Sequence, residues 1–194
     1  MAEMSSPFTK IKEQTMACVL TQNMLLPCRD SVGGVAKIYI ASLADYVSLD
    51  ATVSGGDITA FASASQVFYQ YEQLKETSSV TETINASIQN GTVYYAPEVA
   101  VVIPKLDAAT RDEIKLLAQN RVVIMYTTND ETANTFVVGH TNGLEITGGT
   151  GATGTAFGDM QGYTLTFSGM EPSMSLQLAP TSGTVAALIA TVSN

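Results

Sequence analysis

The chain has 194 residues, 45% of them hydrophobic and 7% aromatic with no Trp, a composition that suits one globular domain with a sizeable core. Its formal charge is −9 and its pI about 4.4, and no window of five residues holds more than two Lys or Arg. Binding to nucleic acid by counterion release needs clustered cations, so that class of function is disfavoured.

The opening stretch, MAEMSSPFTKIKEQTMACVL, has neither the uninterrupted apolar core nor the small-residue cleavage site of a signal peptide. No run approaches the roughly 18 apolar residues of a membrane span, and the chain reads as a soluble protein made in the cytosol. Asn85-Ala-Ser87 and Asn90-Gly-Thr92 match the glycosylation sequon but carry little weight without a secretion signal. Cys18 and Cys28 are the only cysteines; one disulfide is possible, but two buried free thiols are the better reading. Met16, Val19, Leu20 and Met24 fall at helical spacing, yet residues 1–32 read as an N-terminal arm. Residues 33–179, opening at Gly33-Gly34, read as the domain proper. Residues 180–194, with the uncharged TVAALIATV at 184–192, read as a C-terminal arm of ambiguous structure.

Within the domain the pattern is mostly of period two. KIYI (37–40) sets Ile38 and Ile40 against Lys37 and Tyr39, and QVFYQYEQL (66–74) has the aromatic and β-branched content of a strand. VTETINASI (80–88) alternates Val80, Ile84, Ala86 and Ile88 with Thr81, Thr83, Asn85 and Ser87. Asn90-Gly91 predicts a type I′ turn, and TVYYAPEVAVVI (92–103) returns with Val93, Tyr95, Val99, Val101 and Ile103 on one face. The result is a hairpin over 80–103 with arms of about ten residues, about 30 Å long at a strand's rise. Pro97 belongs where a ladder bond is missing. So long a hairpin exposes edges unless neighbours pair with it, and Val99 and Val101 are expected at that self-pairing surface.

Pro104 closes the hairpin and Asp107 caps a helix over 107–120, with Asp112 and Glu113 early and Asn120 at the C-terminal end. Leu106, Ile114, Leu117 and Ala118 form a narrow apolar stripe, with Arg111, Lys115 and Gln119 facing away, so the helix is expected to pack on a sheet with one side only. RVVIMY (121–126) and TFVVGH (135–140) flank TTNDETAN as a second hairpin with a solvated tip. Asn142-Gly143 turns into LEIT, and YTLTFS (163–168) and SMSLQL (173–178) alternate cleanly. Many strands and one central helix predict a mainly-β fold, an antiparallel sandwich or barrel with one flanking α-helix.

Gly149, Gly151 and Gly154 satisfy G-x-G-x-x-G, the spacing of dinucleotide-binding loops. That loop works by joining a strand to a helix whose first N–H groups receive the pyrophosphate. Gly154 is instead followed by TAFGDMQGYTLTF, where Gly158, Gly162 and a period-two run leave no place for a helix. The glycines are therefore read as a long, flexible connection over 148–162 with a role at a subunit contact. His140 is the sole histidine, so a His-based metal site is excluded, and no nucleophile lies near it in sequence. No nucleophile elbow, phosphate loop or calcium loop is present. The eight methionines, Met170 and Met174 among them, read as core or interface filler. The sequence thus offers no catalytic, cofactor-binding or metal-ligating residues and points away from an enzyme.

The order of long hairpin, single helix and further hairpins, carried mainly by TETINASIQNGTVYYAPEVAVVIPKLDAATRDEIKLLAQNRVVIMY, resembles the tail-tube protein family of tailed bacteriophages. CRDSVGGVAKIYI (28–40) and TNGLEITGGTGATGTAFGDMQGYTLTFSG (141–169) are similar to virion proteins of phages of gut bacteria. The resemblance implies a virion structural protein whose partners are copies of itself in stacked, usually hexameric, rings, together with other tail or connector proteins. It also implies a channel through which DNA passes without specific binding, and no membrane partner. An acidic chain suits a conduit for a polyanion. The arms beyond the minimal domain imply a latch between rings or a specialised station such as a tail hub. A capsid decoration or head–tail connector protein is the alternative reading. A ligand-binding β-sandwich is a third, against which the lack of Trp counts.

Overall fold

The short runs of β-branched residues between turn formers build most of the chain into strands, which take 52% of the described residues against 12% in helices. The computed structural model describes residues 31–62, 67–130 and 133–179. Both terminal arms, with Cys18, Cys28, the Met16–Met24 pattern and TVAALIATV, lie outside those residues apart from 31 and 32.

In chain order the elements are β1 (Val35–Ser42), α1 (Leu43–Val47), β2 (Ala51–Ser54), β3 (Asp57–Phe61), β4 (Tyr69–Glu72), β5 (Ser79–Ser87), β6 (Thr92–Pro104), α2 (Ala108–Gln119), β7 (Val122–Thr128), β8 (Thr135–Val138), β9 (Glu145–Ala152), β10 (Gly162–Ser168) and β11 (Leu176–Leu178). They form a seven-stranded sheet, β2-β3-β11-β8-β7-β1-β4, and a four-stranded sheet, β5-β6-β10-β9. The mainly-β class and the flanking helix stand as read. Strand pairing is antiparallel except that β11 runs parallel to β3, a pairing that local pattern does not reveal.

Two cores lie on opposite faces of the larger sheet. Ile38, Ile40, Val122, Ile124 and Val138 meet Val99, Val101, Leu165 and Phe167 of the smaller sheet. On the other face Tyr39, Ala41, Val123, Met125 and Val137 pack with Ile58, Leu176 and Leu178, and with Tyr46, Leu49 and Phe68. The strands β1 and β7 are therefore buried on both sides, which corrects the two-faced reading of KIYI: Tyr39 is as buried as Ile38. Continuous apolar runs such as VVIM suit this position, whereas alternation suits a sheet with one wet face.

Three local elements, α1, β2 and β3, lie outside the strands and helix expected from the sequence. Ser42 caps α1 by accepting the Asp45 N–H at 3.1 Å, and Tyr46 meets Phe68 edge-on with ring centroids 6.3 Å apart. The strands β2 and β3 pair across a two-residue turn, Ser54 opposite Asp57, with Gly55 and Gly56 both at positive φ, the type I′ geometry that Gly-Gly favours. By contrast Asn90-Gly91 is not such a turn. Ser87 pairs with Thr92, so four residues make the bend and only Gly91 has positive φ.

The flanking helix has the expected cap, with the Asp107 carboxylate accepting the Thr110 N–H at 2.6 Å. Those bonds to Thr110 hold the Asp107 carboxyl below its ordinary range. Its apolar stripe is narrower than predicted. Leu117 is buried, Ile114 and Leu106 are half-buried, and Ala118 is exposed.

Candidate assembly surface

Alternation of apolar and hydroxyl side chains carries β5 and β6 along a nine-pair ladder from Ser79–Ala100 to Ser87–Thr92. On its other side β6 pairs with β10 only over Glu98–Pro104. Beyond that point the support on this side, among the described residues, is the bridge between Tyr95 and Glu171 and one backbone bond to Gly169. Pro97 sits at this boundary. Its carbonyl accepts the Gly169 N–H at 3.3 Å, and since a strand residue's N and C=O point the same way, its missing N–H is on the side where the β10 ladder has ended.

One face of the hairpin changes surroundings along its length. At the root, Val99 and Val101 are fully buried against the larger sheet. This corrects their expected place at an open edge: β6 is an inner strand, and these residues hold the sandwich together. The same face then emerges from the sandwich, with Ile84 at 58% exposure and Val93 at 55%, and Ile88 in the bend beyond is 99% exposed. Residues 83–97 carry no charged side chain. Among the described residues nothing covers this apolar stripe, and exposed apolar patches are what interaction surfaces present. A two-stranded ribbon standing alone is also marginally stable in water.

The glycine-rich stretch lies at the opposite end of this sheet and is not an unstructured connection. β9 runs through Gly148, Gly149 and Gly151, with Gly149 opposite Leu165 and Gly151 opposite Tyr163. A Cβ on Gly149 would meet the Leu165 side chain at 2.9 Å, and one on Gly151 would meet the Tyr163 ring at 3.0 Å. Both glycines thus make room for a large cross-strand neighbour, a close approach that local sequence does not announce. Gly154, at φ +69° and with Asp159 packed against it, starts a turn in which the Asp159 carboxylate accepts the N–H groups of Thr155 and Ala156, each at 2.8 Å. These bonds hold the Asp159 carboxyl below its ordinary range. No helix follows Gly154, so the strand–loop–helix geometry of a dinucleotide site is not built here. The apex of the turn carries Phe157, fully exposed.

A polar strap between the hairpin and the larger sheet occupies residues 169–175. Glu171 is 2% exposed. Its carboxylate accepts the backbone N–H groups of Thr141, Asn142 and Gly143 at 3.2, 2.9 and 3.2 Å, while its own backbone pairs with Tyr95. Glu82 of β5 accepts from the N–H and hydroxyl of Ser175 at 2.9 and 3.0 Å. His140 lies beside this strap, its Nε2 3.1 Å from the Ser173 hydroxyl and its buried Nδ1 without a partner among the described residues. Burial lowers its pKa, partly offset by Glu171 and Glu82. Neither Glu171 nor Glu82 was singled out by sequence reasoning as a structural anchor. A buried carboxylate paired with distant backbone amides leaves no local signature.

Elsewhere, a groove of about 490 Å³ lies between α2 and the edge strand β4, lined by Gln70, Tyr71, Ile103, Thr110, Glu113 and Ile114. The Tyr71 hydroxyl donates to Glu113 at 3.2 Å, and burial raises its pKa. Among the described residues no three His, Cys, Asp or Glu side chains converge to hold a metal, and no helix is long and apolar enough to cross a membrane. Met170 and Met174, expected as core or interface filler, are exposed and so are not part of the core. No protein-family profile, curated protein or solved structure matches the chain.

Proposed function

We propose that this protein is a non-enzymatic structural subunit that assembles with copies of itself into rings, as a tube-like component of a bacteriophage tail through which the genome passes. The observation that carries the reading is the pair of edges of the four-stranded sheet that no strand among the described residues covers. β5 lies at one edge and β9 at the other, and each neighbour in the sheet is antiparallel to the next. The two edges therefore run in opposite directions. Copies related by rotation about an axis along the strands bring β5 of one beside β9 of the next in antiparallel register, a head-to-tail contact that closes into a ring. Such pairing would satisfy the edge N–H and C=O groups that a free β5 presents over nine residues.

The chemistry of the sheet supports the same reading. None of its four strands carries Lys or Arg. The face turned from the core presents Thr81, Thr83, Thr164, Thr166 and the carboxylate of Glu98. A wall of this kind gives a polyanion no cation to hold.

Negative-stain microscopy of the purified full chain at increasing concentration tests the proposal. Annular particles or tubes are expected. A species that stays monomeric throughout overturns it, and discrete trimers would instead favour a capsid decoration protein.

A further inference from the structure

The larger sheet ends at β4, which among the described residues pairs with β1 on one side and with no strand on the other. The groove of about 490 Å³ beside α2 takes in three consecutive residues of this strand, Gln70, Tyr71 and Glu72. Successive side chains of a strand point to opposite faces, so the groove opens along the strand's edge as well as along one face. Tyr71, Ile103 and Ile114 give it a half-buried apolar floor. Glu72 and Glu113 are its exposed carboxylates, and no Lys or Arg lines it. An edge strand beside such a groove suits one more extended segment, which takes main-chain bonds from the strand and sets alternate side chains in the groove. We infer that residues 8–12 of this same chain, FTKIK, add to β4 as that segment.

Charge and register single out this occupant. FTKIK is the only five-residue window of the chain that holds two cations and no acid, whereas residues 180–194 carry no charged side chain. With Ile11 opposite Tyr71, its side chain shares the face on which Tyr71, Ile103 and Ile114 pack against the core. Lys10 and Lys12 flank Ile11, so one of them stands opposite Glu72 whichever way the added strand runs. Opposite charges directly across a ladder stabilise the pairing. Lys37 lies across from Glu72 on the β1 side, but the ion pair among the described residues is that of Arg121 with Glu145.

Reach allows the contact within one chain. β1 begins at Val35 and is already opposite Glu72 at Lys37, and the intervening residues 13–30 span up to about 60 Å when extended. The segment then occupies the N–H and C=O groups along the β4 edge and withholds them from strands of other molecules. This contact lies on the larger sheet and is independent of ring formation, which uses the edges of the smaller one.

Hydrogen exchange of the full-length chain tests it. Amides of Tyr69–Glu72 are expected to exchange at least about tenfold more slowly in the wild-type chain than in Lys10→Glu/Lys12→Glu, while Ile38 and Ile124 keep their protection and report an intact fold. Adding Glu72→Lys/Glu113→Lys to that variant should restore the protection. Equal exchange at Tyr69–Glu72 in the wild-type and Lys10→Glu/Lys12→Glu chains overturns the contact, whether the groove then stands bare or takes a segment of another protein. Disulfide trapping in a Cys18→Ser/Cys28→Ser background reads the register. Lys12→Cys is combined with Glu72→Cys in one chain and with Gln70→Cys in another, and one of the two is expected to close a disulfide within the monomer on mild oxidation. Failure of both, or cross-links found only between chains, overturns the inference.

Discussion

The root and the tip of the β5–β6 hairpin obey the same alternation, and their surroundings are opposite. Val99 and Val101 at the root are sealed against β1, β7 and β10, whereas Val93 and Ile84, on the same face a few residues away, stand in solvent. The difference lies in where the neighbouring strand stops: β10 pairs with β6 only from Glu98 onward. Alternation therefore tells which side chains seek cover and is silent on whether the cover comes from the same chain.

The sharpest way to break this comparison is to remove apolar bulk at each end. Phe167, fully buried opposite Val99, should cost about 3–5 kcal/mol on replacement by Ala, a large share of the roughly 5–15 kcal/mol of a typical domain. Val93→Ser at the tip should change subunit stability by no more than about 0.5 kcal/mol while reducing assembly. Urea denaturation beside analytical ultracentrifugation reads both. Equal losses of stability would mean that the tip is folded against the subunit after all.

Next in size is the helix. Leu117 is the buried member of the α2 stripe, and Leu117→Ala should destabilise by about 2–4 kcal/mol. An unchanged denaturation midpoint would show that α2 contributes no packing to the core. The strap follows. Glu171→Gln puts an amide donor against one of three backbone N–H groups now bonded to the carboxylate, at a cost of about 1–3 kcal/mol. Amide exchange at Thr141–Gly143 should quicken in that variant; retained protection would mean the turn holds itself.

Much of the architecture was legible in the sequence where the signal is local. VTETINASI, TVYYAPEVAVVI and YTLTFS announce their strands by alternation, and Asp107 announces its helix by capping. The β2–β3 hairpin was legible too, through Gly55-Gly56 between TVS and DIT, and was overlooked. What local pattern does not contain is contact between distant segments. GGTGA reads as a loop because glycine is poor in strands, yet Leu165 and Tyr163 lie across its bare backbone and make it one. Val99 and Val101 look like an edge until β10 is placed beside them. The candidate surface was half visible: the hairpin's length pointed to a partner, whereas the Phe157 turn emerged only from the bonds of Asp159.

The smallest effect sharpens the comparison at the strap, where hairpin and larger sheet are joined. Burial lowers the pKa of His140, and the nearby Glu171 and Glu82 oppose that shift without cancelling it. Folding therefore favours the neutral ring. Above its ordinary value of 6.5 the ring is neutral in both states and this contribution is fully present. As pH falls below that value the unfolded chain takes up the proton more readily than the folded one, and stability declines. The assignment is clean because His140 is the sole histidine. Among the described residues the two carboxyls with lowered values, Asp107 and Asp159, have ordinary values of 3.8, and theirs is a contribution lost only as pH falls through the range below that. Urea midpoints between pH 7.5 and pH 5 should accordingly fall in the wild-type chain and fall less in His140→Gln. Parallel curves would mean that the ring is equally protonated in the two states, and that the hairpin's attachment through Glu171 and Glu82 is indifferent to the charge beside it.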